Sequence, residues 1–219
     1  MSESTDNYLK TIYALTRSGE GYVSTSALSE KMKTRASSVT DMLKKLDRRG
    51  VVVHERYHGV SLTPAGEKEA VEIIRRHRIW EVFLSEKLGF RWDEVHQIAE
   101  QLEHISSPEL IQRLDTFLGN PKYDPHGDPI PDKAGRMPKT AKTVTLEHAD
   151  EDHEWKINSV SDNSSDLLIY LEKIKIKPGT VVEVRKRHAF DGSIEIMVGG
   201  KKRSISQLVA SNIMVIKSE

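Results

Sequence analysis

The chain has 219 residues, no cysteine, and 33 basic residues against 33 acidic ones, so its formal net charge is zero. The missing cysteine excludes disulfides, zinc–thiolate sites and cysteine nucleophiles, and no apolar run approaches the ~20 residues of a membrane span. The zero total conceals an asymmetry. Residues 22–60 hold eight Lys/Arg against four Asp/Glu, whereas residues 77–135 hold six against eleven. A basic segment followed by an acidic one suggests contact with nucleic acid and then binding of a cation. The polar start, Met1 to Asp6, lacks the pattern of a secretory signal. The expectation is a soluble, cytoplasmic protein with no membrane partner.

Tyr8, Leu9, Ile12, Tyr13 and Leu15, near helical spacing, predict a helix over residues 6–18. Ser24 precedes a short helix carrying Leu28 and Met32, and a turn at 33–35 leads to a helix over 36–48 with the apolar stripe Val39, Met42, Leu43 and Leu46. Lys44, Lys45, Arg48 and Arg49 lie outside that stripe, and Gly50 suits the position just past a helix end. Residues 51–63 read as a β-hairpin turning near His58-Gly59. Thr63-Pro64 opens a long helix to about residue 88, with proline in the first turn, where its missing N–H is not needed. Residues 93–105 and 107–118 predict two further helices. Residues 120–138 hold five of the eight prolines and read as a partly extended linker. Beyond residue 139 come short β-rich runs near 144, 155, 181, 194 and 213, with one helix over 167–174, a pattern that suits a small SH3-like β-barrel. The expected fold class is mainly α with a small β part. The expected domains are a winged helix-turn-helix over 1–64, a helical domain over 65–120, a linker over 121–141 and an SH3-like domain over 142–219.

Helix, tight turn, basic helix and β-hairpin is the order of a winged helix-turn-helix, whose second helix enters the major groove and shows polar side chains at its amino end. Arg35, Ser37, Ser38, Thr40 and Asp41 occupy that end. Arg35 suits guanine, the hydroxyls suit phosphates or bases, and Asp41 either accepts from a cytosine amino group or orients a neighbouring lysine. Lys44, Lys45 and the wing residues Arg56 and His58 are candidates for phosphate contacts.

The acidic segment carries the sharper signal. His96, Glu100, Glu103 and His104 fall at i, i+4, i+7 and i+8, near one face of a helix, and His77 and Glu81 are i, i+4 on the helix before it. Imidazole with carboxylate suits Mn²⁺, Fe²⁺, Zn²⁺, Ni²⁺ or Co²⁺. A four-helix di-iron carboxylate enzyme would need Glu-x-x-His motifs, which these residues do not form.

These motifs resemble the iron- and manganese-dependent repressors of the diphtheria toxin repressor type. The matching stretches are Asn7-Tyr-Leu-Lys-Thr-Ile-Tyr13, Ser37-Ser-Val-Thr40, Leu62-Thr-Pro-Ala-Gly66, Arg76-His-Arg78 with Glu81, Glu100-x-x-Glu-His104, and Asp124-Pro-His-Gly-Asp-Pro-Ile-Pro131. The resemblance implies a metal-dependent repressor that binds double-stranded operator DNA as a homodimer and controls metal-uptake genes. It implies two metal ions per subunit, Mn²⁺ or alternatively Fe²⁺. One site would use Glu100, Glu103 and His104 with a first-helix group, Asn7 or its neighbour Asp6. The other, separate site would use His77, Glu81 and His96, with Asp162 added by the SH3-like domain. Lys10 stands where manganese sensors with a two-metal cluster carry an acid. Glu100 stands where the iron-type repressors carry Cys, and a hard oxygen there tilts selectivity toward Mn²⁺. Without metal, the carboxylates at 100 and 103 are expected to repel one another; metal would neutralise them and tie the first helix down. No organic substrate is expected. Two rival readings remain: a winged-helix regulator answering to an organic ligand, and a metal-dependent hydrolase. The second lacks a nucleophile elbow, a His-Glu-x-x-His motif on a predicted helix and a phosphate loop.

Overall fold

A computed structural model of the chain describes residues 3–17, 21–55, 58–139, 141–161 and 164–218. Helices α1 (Glu3–Arg17), α2 (Thr25–Lys31) and α3 (Ala36–Arg48) and the hairpin β1 (Val52–Glu55) and β2 (Gly59–Leu62) form the amino-terminal unit. Ser24 caps α2 by accepting from the Ala27 N–H. Val39, Leu43 and Leu46 bury one face of α3 in a core with Leu9 and Ile12 of α1, Leu28 of α2 and Val60 of β2. The opposite face of α3 stays in solvent, as a groove-reading helix requires. The wing pairs Val52 with Leu62 through to Glu55 with Gly59, and Val60 also bridges to Val23.

The next helix, α4 (Pro64–Leu88), belongs to two cores. Thr63 Oγ1 accepts from the Gly66 N–H and donates to the Gly50 carbonyl, at 3.1 and 2.7 Å, so one hydroxyl caps α4 and clips it to the end of α3. Ala70, Val71 and Ile73 pack in the amino-terminal core. Ile79, Trp80, Val82 and Leu84 pack with α5 (Val95–Leu102) and α6 (Pro108–Phe117), through Val95, Ala99, Ile111 and Leu114. The helix expected over 93–105 is therefore shorter at both ends. At its start the Glu94 carboxylate takes the Arg91 N–H. At its end Arg76 Nε donates to the Glu103 carbonyl at 2.7 Å, a group that would otherwise accept a helical bond. Glu103 and His104 consequently lie in the turn after α5.

The proline-rich stretch is a folded turn rather than an extended linker. Asp124 Oδ1 accepts from the N–H groups of His126 and Asp128, the Ile130 N–H donates to the Lys122 carbonyl, and Ile130 is buried in the helical core. Arg75 and Arg78 hold it to α4 through the carbonyls of Pro131 and Pro129.

The carboxy-terminal unit is an antiparallel sheet in the order β3-β8-β4-β5-β6-β7. Its strands are β3 (Val144–Thr145), β4 (His153–Val160), β5 (Val181–Arg187), β6 (Ile194–Val198), β7 (Lys201–Ile205) and β8 (Ile213–Lys217), joined by α7 (Ser165–Lys173) and α8 (Gln207–Ser211). Register shifts at Ile157/Ser159 and Val184/Lys186 mark the bulges that bend such a sheet. Strand β7 and helix α8 are additions to the sequence reading. The lysines and arginine of β7 hide its alternation, as is usual for a charged edge strand. Trp92, from the α4–α5 turn, is buried in this third core, and the Val160 N–H donates to the His126 carbonyl. The folded turn and the sheet are thus joined beside His126.

Gly66 sits in the first turn of α4, where a Cβ would meet the Val51 carbonyl oxygen at 1.8 Å. Alanine is the better helix former by roughly 1 kcal/mol, but a clash with backbone has no flexible partner to relieve it. Gly66→Ala should destabilise the protein by about 3 kcal/mol, measured by urea unfolding. A neutral or stabilising result would mean that the wing moves aside at little cost.

Candidate metal centre

Five segments converge. Helix α4 presents His77 and Glu81 one turn apart, α5 presents His96 and Glu100, the following turn adds Glu103 and His104, and α1 adds Asp6, Asn7 and Lys10. The folded turn supplies Asp124 and His126. Glu103, Glu81 and His126 are 0, 1 and 0 % exposed, so their charges and lone pairs must be met within the protein.

His77 is the hub. Its Nδ1 lies 2.7 Å from Glu103 Oε2 and its Nε2 lies 2.9 Å from Glu81 Oε1. His96 Nδ1 is 3.1 Å from His77 Nε2 and 3.2 Å from Glu81 Oε1, and His96 Nε2 is 3.7 Å from Glu100 Oε1. His77, His96 and Glu100 offer ligand atoms within 4.8 Å of one another, and so do Glu81, Asp124 and His126. The two groups of residues expected at separate sites are therefore continuous, because His77 touches both. The structure also revises the charge balance expected without metal. The Lys10 ammonium lies 2.7 Å from Glu100 Oε1 and 2.7 and 2.8 Å from the two oxygens of Glu103, so these carboxylates share a cation rather than simply repelling one another.

Tautomers follow from the partners. His104 Nδ1 faces Asp6 Oδ2 at 3.1 Å, so its proton sits there and Nε2 keeps a lone pair; Asp6 is also 3.7 Å from Arg76. His126 Nε2 donates to the Trp92 carbonyl at 2.7 Å, which turns Nδ1 toward Glu81, 3.7 Å away. His104 Nε2, His126 Nδ1 and Asn7 Oδ1 are buried and have no hydrogen-bond partner among the described residues. Buried acceptors without donors suit a cation, and imidazole nitrogen with carboxylate and amide oxygen is a donor set for a first-row divalent ion.

Burial alone would push the His77 imidazolium toward its neutral form, but the Glu81 charge and hydrogen bonds to Glu103 and Glu81 outweigh it and raise the pKa to about 9. Burial opposes the Glu81 charge too, yet the His77 charge, the adjacent His126 ring and hydrogen bonds from His77 and His96 hold Glu81 well below the usual carboxylate range. Asp124 goes the other way. Burial, then Glu81 and Asp128, push it up to about 8 against the pull of Arg78 and His126.

Asp162 and Arg56, both singled out in the sequence, lie outside the described residues. Asp124 and His126 were missed as ligand candidates because they sit in a proline-rich stretch with no helical or strand spacing. The signal present was a carboxylate and a histidine two residues apart in a stretch otherwise read as linker. On the nucleic-acid side, Arg35, Ser37, Ser38, Asp41, Lys44, Lys45 and His58 are exposed. Thr40 is half-buried and donates to the Ala36 carbonyl. Asp41 lies 3.7 Å from Lys44, which fits the lysine-orienting role.

Comparison with known proteins agrees with this layout. Residues 1–60 match the family model for the iron-dependent repressor N-terminal DNA-binding domain, residues 63–132 that for the iron-dependent repressor metal-binding and dimerisation domain, and residues 144–217 that for the FeoA domain. The regulator MntR of Lysinibacillus sphaericus is 35% identical over 111 residues, covering 51% of this chain and 78% of that protein. The diphtheria toxin repressor of Corynebacterium diphtheriae is 26% identical over 233 residues, covering 97% and 96%. A solved manganese-dependent transcriptional repressor in complex with manganese superposes with a TM-score of 0.89 at 34% identity, covering 98% of this chain and 100% of that one.

The chain belongs to the iron- and manganese-dependent repressor family. Like the family, it combines a DNA-binding domain with a metal-binding domain and is a transcriptional repressor, not an enzyme. Among the described residues no helix is long and apolar enough to cross a membrane.

The buried charges give the metal-free protein a defined response to pH. The folded pKa of His77, about 9, lies above its ordinary 6.5. Its stabilising contribution is therefore complete below about pH 6.5 and lost as pH rises through 9. Asp124, raised from 3.8 to about 8, acts in the same direction, because folding favours its neutral form and the unfolded chain ionises first. Chelator-treated protein should lose ~3 kcal/mol from the His77 contribution between pH 6.5 and 9, and His77→Gln should flatten much of that slope. Thermal unfolding across this range is the check; a wild-type curve as flat as the variant's would contradict the assignment.

Proposed function

We propose that this chain is a manganese-responsive repressor that binds near-palindromic operator DNA as a homodimer, taking two divalent ions per subunit. The observation that carries the reading is the pair of buried acceptors Asn7 Oδ1 and His104 Nε2, without hydrogen-bond partners among the described residues, the second lying 3.9 Å from Glu103 Oε1. The first site is assigned to Asn7, through its amide oxygen, with Glu100, Glu103 and His104. Asp6 is the orienting group that holds the far nitrogen of His104, an arrangement that fixes tautomer and ring direction. The second site is assigned to Glu81 with Asp124 and His126, flanked by His77 and His96, and Asp162 remains a further candidate. Oxygen-rich coordination at Glu100 and Glu103 supports Mn²⁺ over softer-preferring Fe²⁺. Leu88, Phe90 and Phe117, exposed near the ends of α4 and α6, support pairing of two copies through the helical domain. We assign residues 1–64 to DNA binding, 65–120 to metal binding and dimerisation, 121–141 to the connection and 142–219 to the SH3-like domain.

When bound, the metal supplies positive charge at oxygens contributed by α5 and its turn and at groups of α1. Helix α1 packs against α4, which runs directly from the wing, so fixing α1 fixes the recognition helix α3 relative to the dimer axis. Two recognition helices about one DNA turn apart then meet two half-sites. The target genes are metal-uptake genes on this reading, and an organic effector is the alternative.

Operator duplex selected from a random-sequence library and read by fluorescence anisotropy tests this. Affinity should rise at least about tenfold with Mn²⁺, within the usual range of allosteric coupling. Glu103→Gln should abolish that gain, and an equal gain with chelator present would instead favour an organic effector.

The nucleic-acid face makes a separate prediction. Lys44→Ala and Lys45→Ala should weaken all sequences alike and make the salt dependence shallower. Arg35→Ala should relax preference at one base pair by roughly 1–3 kcal/mol. Specificity unchanged in Arg35→Ala would displace α3 as the reading helix.

A further inference from the structure

Lys10 occupies an unusual place for a lysine. Its ammonium sits between Glu100 and Glu103, within 2.7–2.8 Å of three carboxylate oxygens. Its side chain is 17% exposed and the Glu103 side chain is 0% exposed. The contacts span 90 and 93 positions of sequence, joining α1 to α5 and its turn. Burial would raise the Glu100 carboxyl, and Lys10 is the leading cause that lowers it instead.

We propose that Lys10 is a resident counter-ion of the metal centre, which a divalent cation must displace, so that Lys10 sets how much metal the centre requires. The proposal rests on the assignment of Glu100 and Glu103 as ligands. A protonated amine has three donors and no lone pair, so it cannot join a coordination shell; it can only compete for the same oxygens. An ammonium that stayed beside a divalent ion within a few ångströms, in a partly buried setting, would face strong repulsion. The lysine stem is long and flexible enough to release its head toward solvent. Lys10 thus does two things in the metal-free chain. It balances the buried charge of Glu103, and it keeps α1 docked against the turn after α5. Every ligand is then held near its place while entry of metal is opposed.

The test uses full-length protein without DNA, Mn²⁺ as the probe and the electron-spin signal of unbound Mn²⁺ as the readout. Lys10→Met should bind Mn²⁺ about tenfold or more tightly than wild type, because the competing charge is gone. The same variant, treated with chelator, should melt lower by about 5 °C or more, because Glu103 loses its cation. Saturating Mn²⁺ should restore the wild-type melting temperature. A merely structural loss would weaken metal binding and stability together, whereas these two effects run in opposite directions. Lys10→Arg, which keeps the charge, should not gain affinity. In wild type itself, acetylation of Lys10 followed by mass spectrometry should speed up when Mn²⁺ is added, a measurement that needs no variant to fold. Unchanged or weaker Mn²⁺ binding in Lys10→Met, or no acceleration of acetylation, overturns the proposal. If Glu103→Gln binds Mn²⁺ as well as wild type, the ligand assignment has failed and the proposal with it; if Glu103→Gln loses binding while Lys10→Met gains none, only the role of Lys10 has failed.

Discussion

Glu81 and Glu103 are buried carboxylates, and the architecture around them follows from the need to give them positive partners. Taking an ionised carboxylate out of water costs several kcal/mol unless opposite charge and hydrogen bonds compensate. The compensation comes from different segments. His77 on α4 touches both carboxylates, Lys10 on α1 meets Glu103, and Arg76 on α4 takes the Glu103 main-chain carbonyl. Apart from the His77–Glu81 pair, which lies within α4, each of these contacts is also a tether between elements. Charge balance at the centre and the docking of α1 against α4 and α5 are therefore one event, which is what a protein that reads a cation through its helix arrangement requires.

The long helix α4 carries that event outward. Its first turns are packed in the core of the winged helix and its later turns in the helical core. His77 and Glu81 lie beyond the point where one core gives way to the other. A single uninterrupted helix transmits position far better than a loop, and the Thr63 hydroxyl, shared between the Gly66 N–H and the Gly50 carbonyl, pins its start to the end of α3. The folded turn at 124–130 adds a second route. His126 faces the buried Glu81 with one nitrogen and the Trp92 carbonyl with the other, while its own carbonyl accepts from strand β4. The SH3-like unit is thereby built onto the centre instead of hanging from a flexible tether.

The donor atoms also bear on selectivity. The candidate donor atoms gathered at the centre are carboxylate oxygens and imidazole nitrogens, which suit a hard ion such as Mn²⁺ without excluding its neighbours in the series. Asn7 contributes no charge, unlike an aspartate, and Lys10 adds a positive one. On the proposed assignment of the first site, both lower its attraction for cations, which suits a sensor that must stay empty until metal is abundant.

Much of this was legible in residue spacing. The amphipathic stripes of α1, α3 and α4, the cap and proline at Thr63-Pro64, and the i, i+4 pairs His77/Glu81 and His96/Glu100 are local patterns, decided by 3.6-residue periodicity and by capping chemistry. Local pattern alone therefore yields the winged helix, the helical metal region and the β-rich end, and most of the ligand candidates. It could not decide how those candidates group. That His77 bridges Glu103 and Glu81, that Lys10 reaches across 93 positions to Glu103, that α5 stops before Glu103 because Arg76 takes its carbonyl, and that Asp124 and His126 fold in beside Glu81 are contacts between segments with no shared periodicity. Three-dimensional packing settles them, because partner choice among buried charges depends on which segments the cores bring within reach, and a one-dimensional pattern contains no distances.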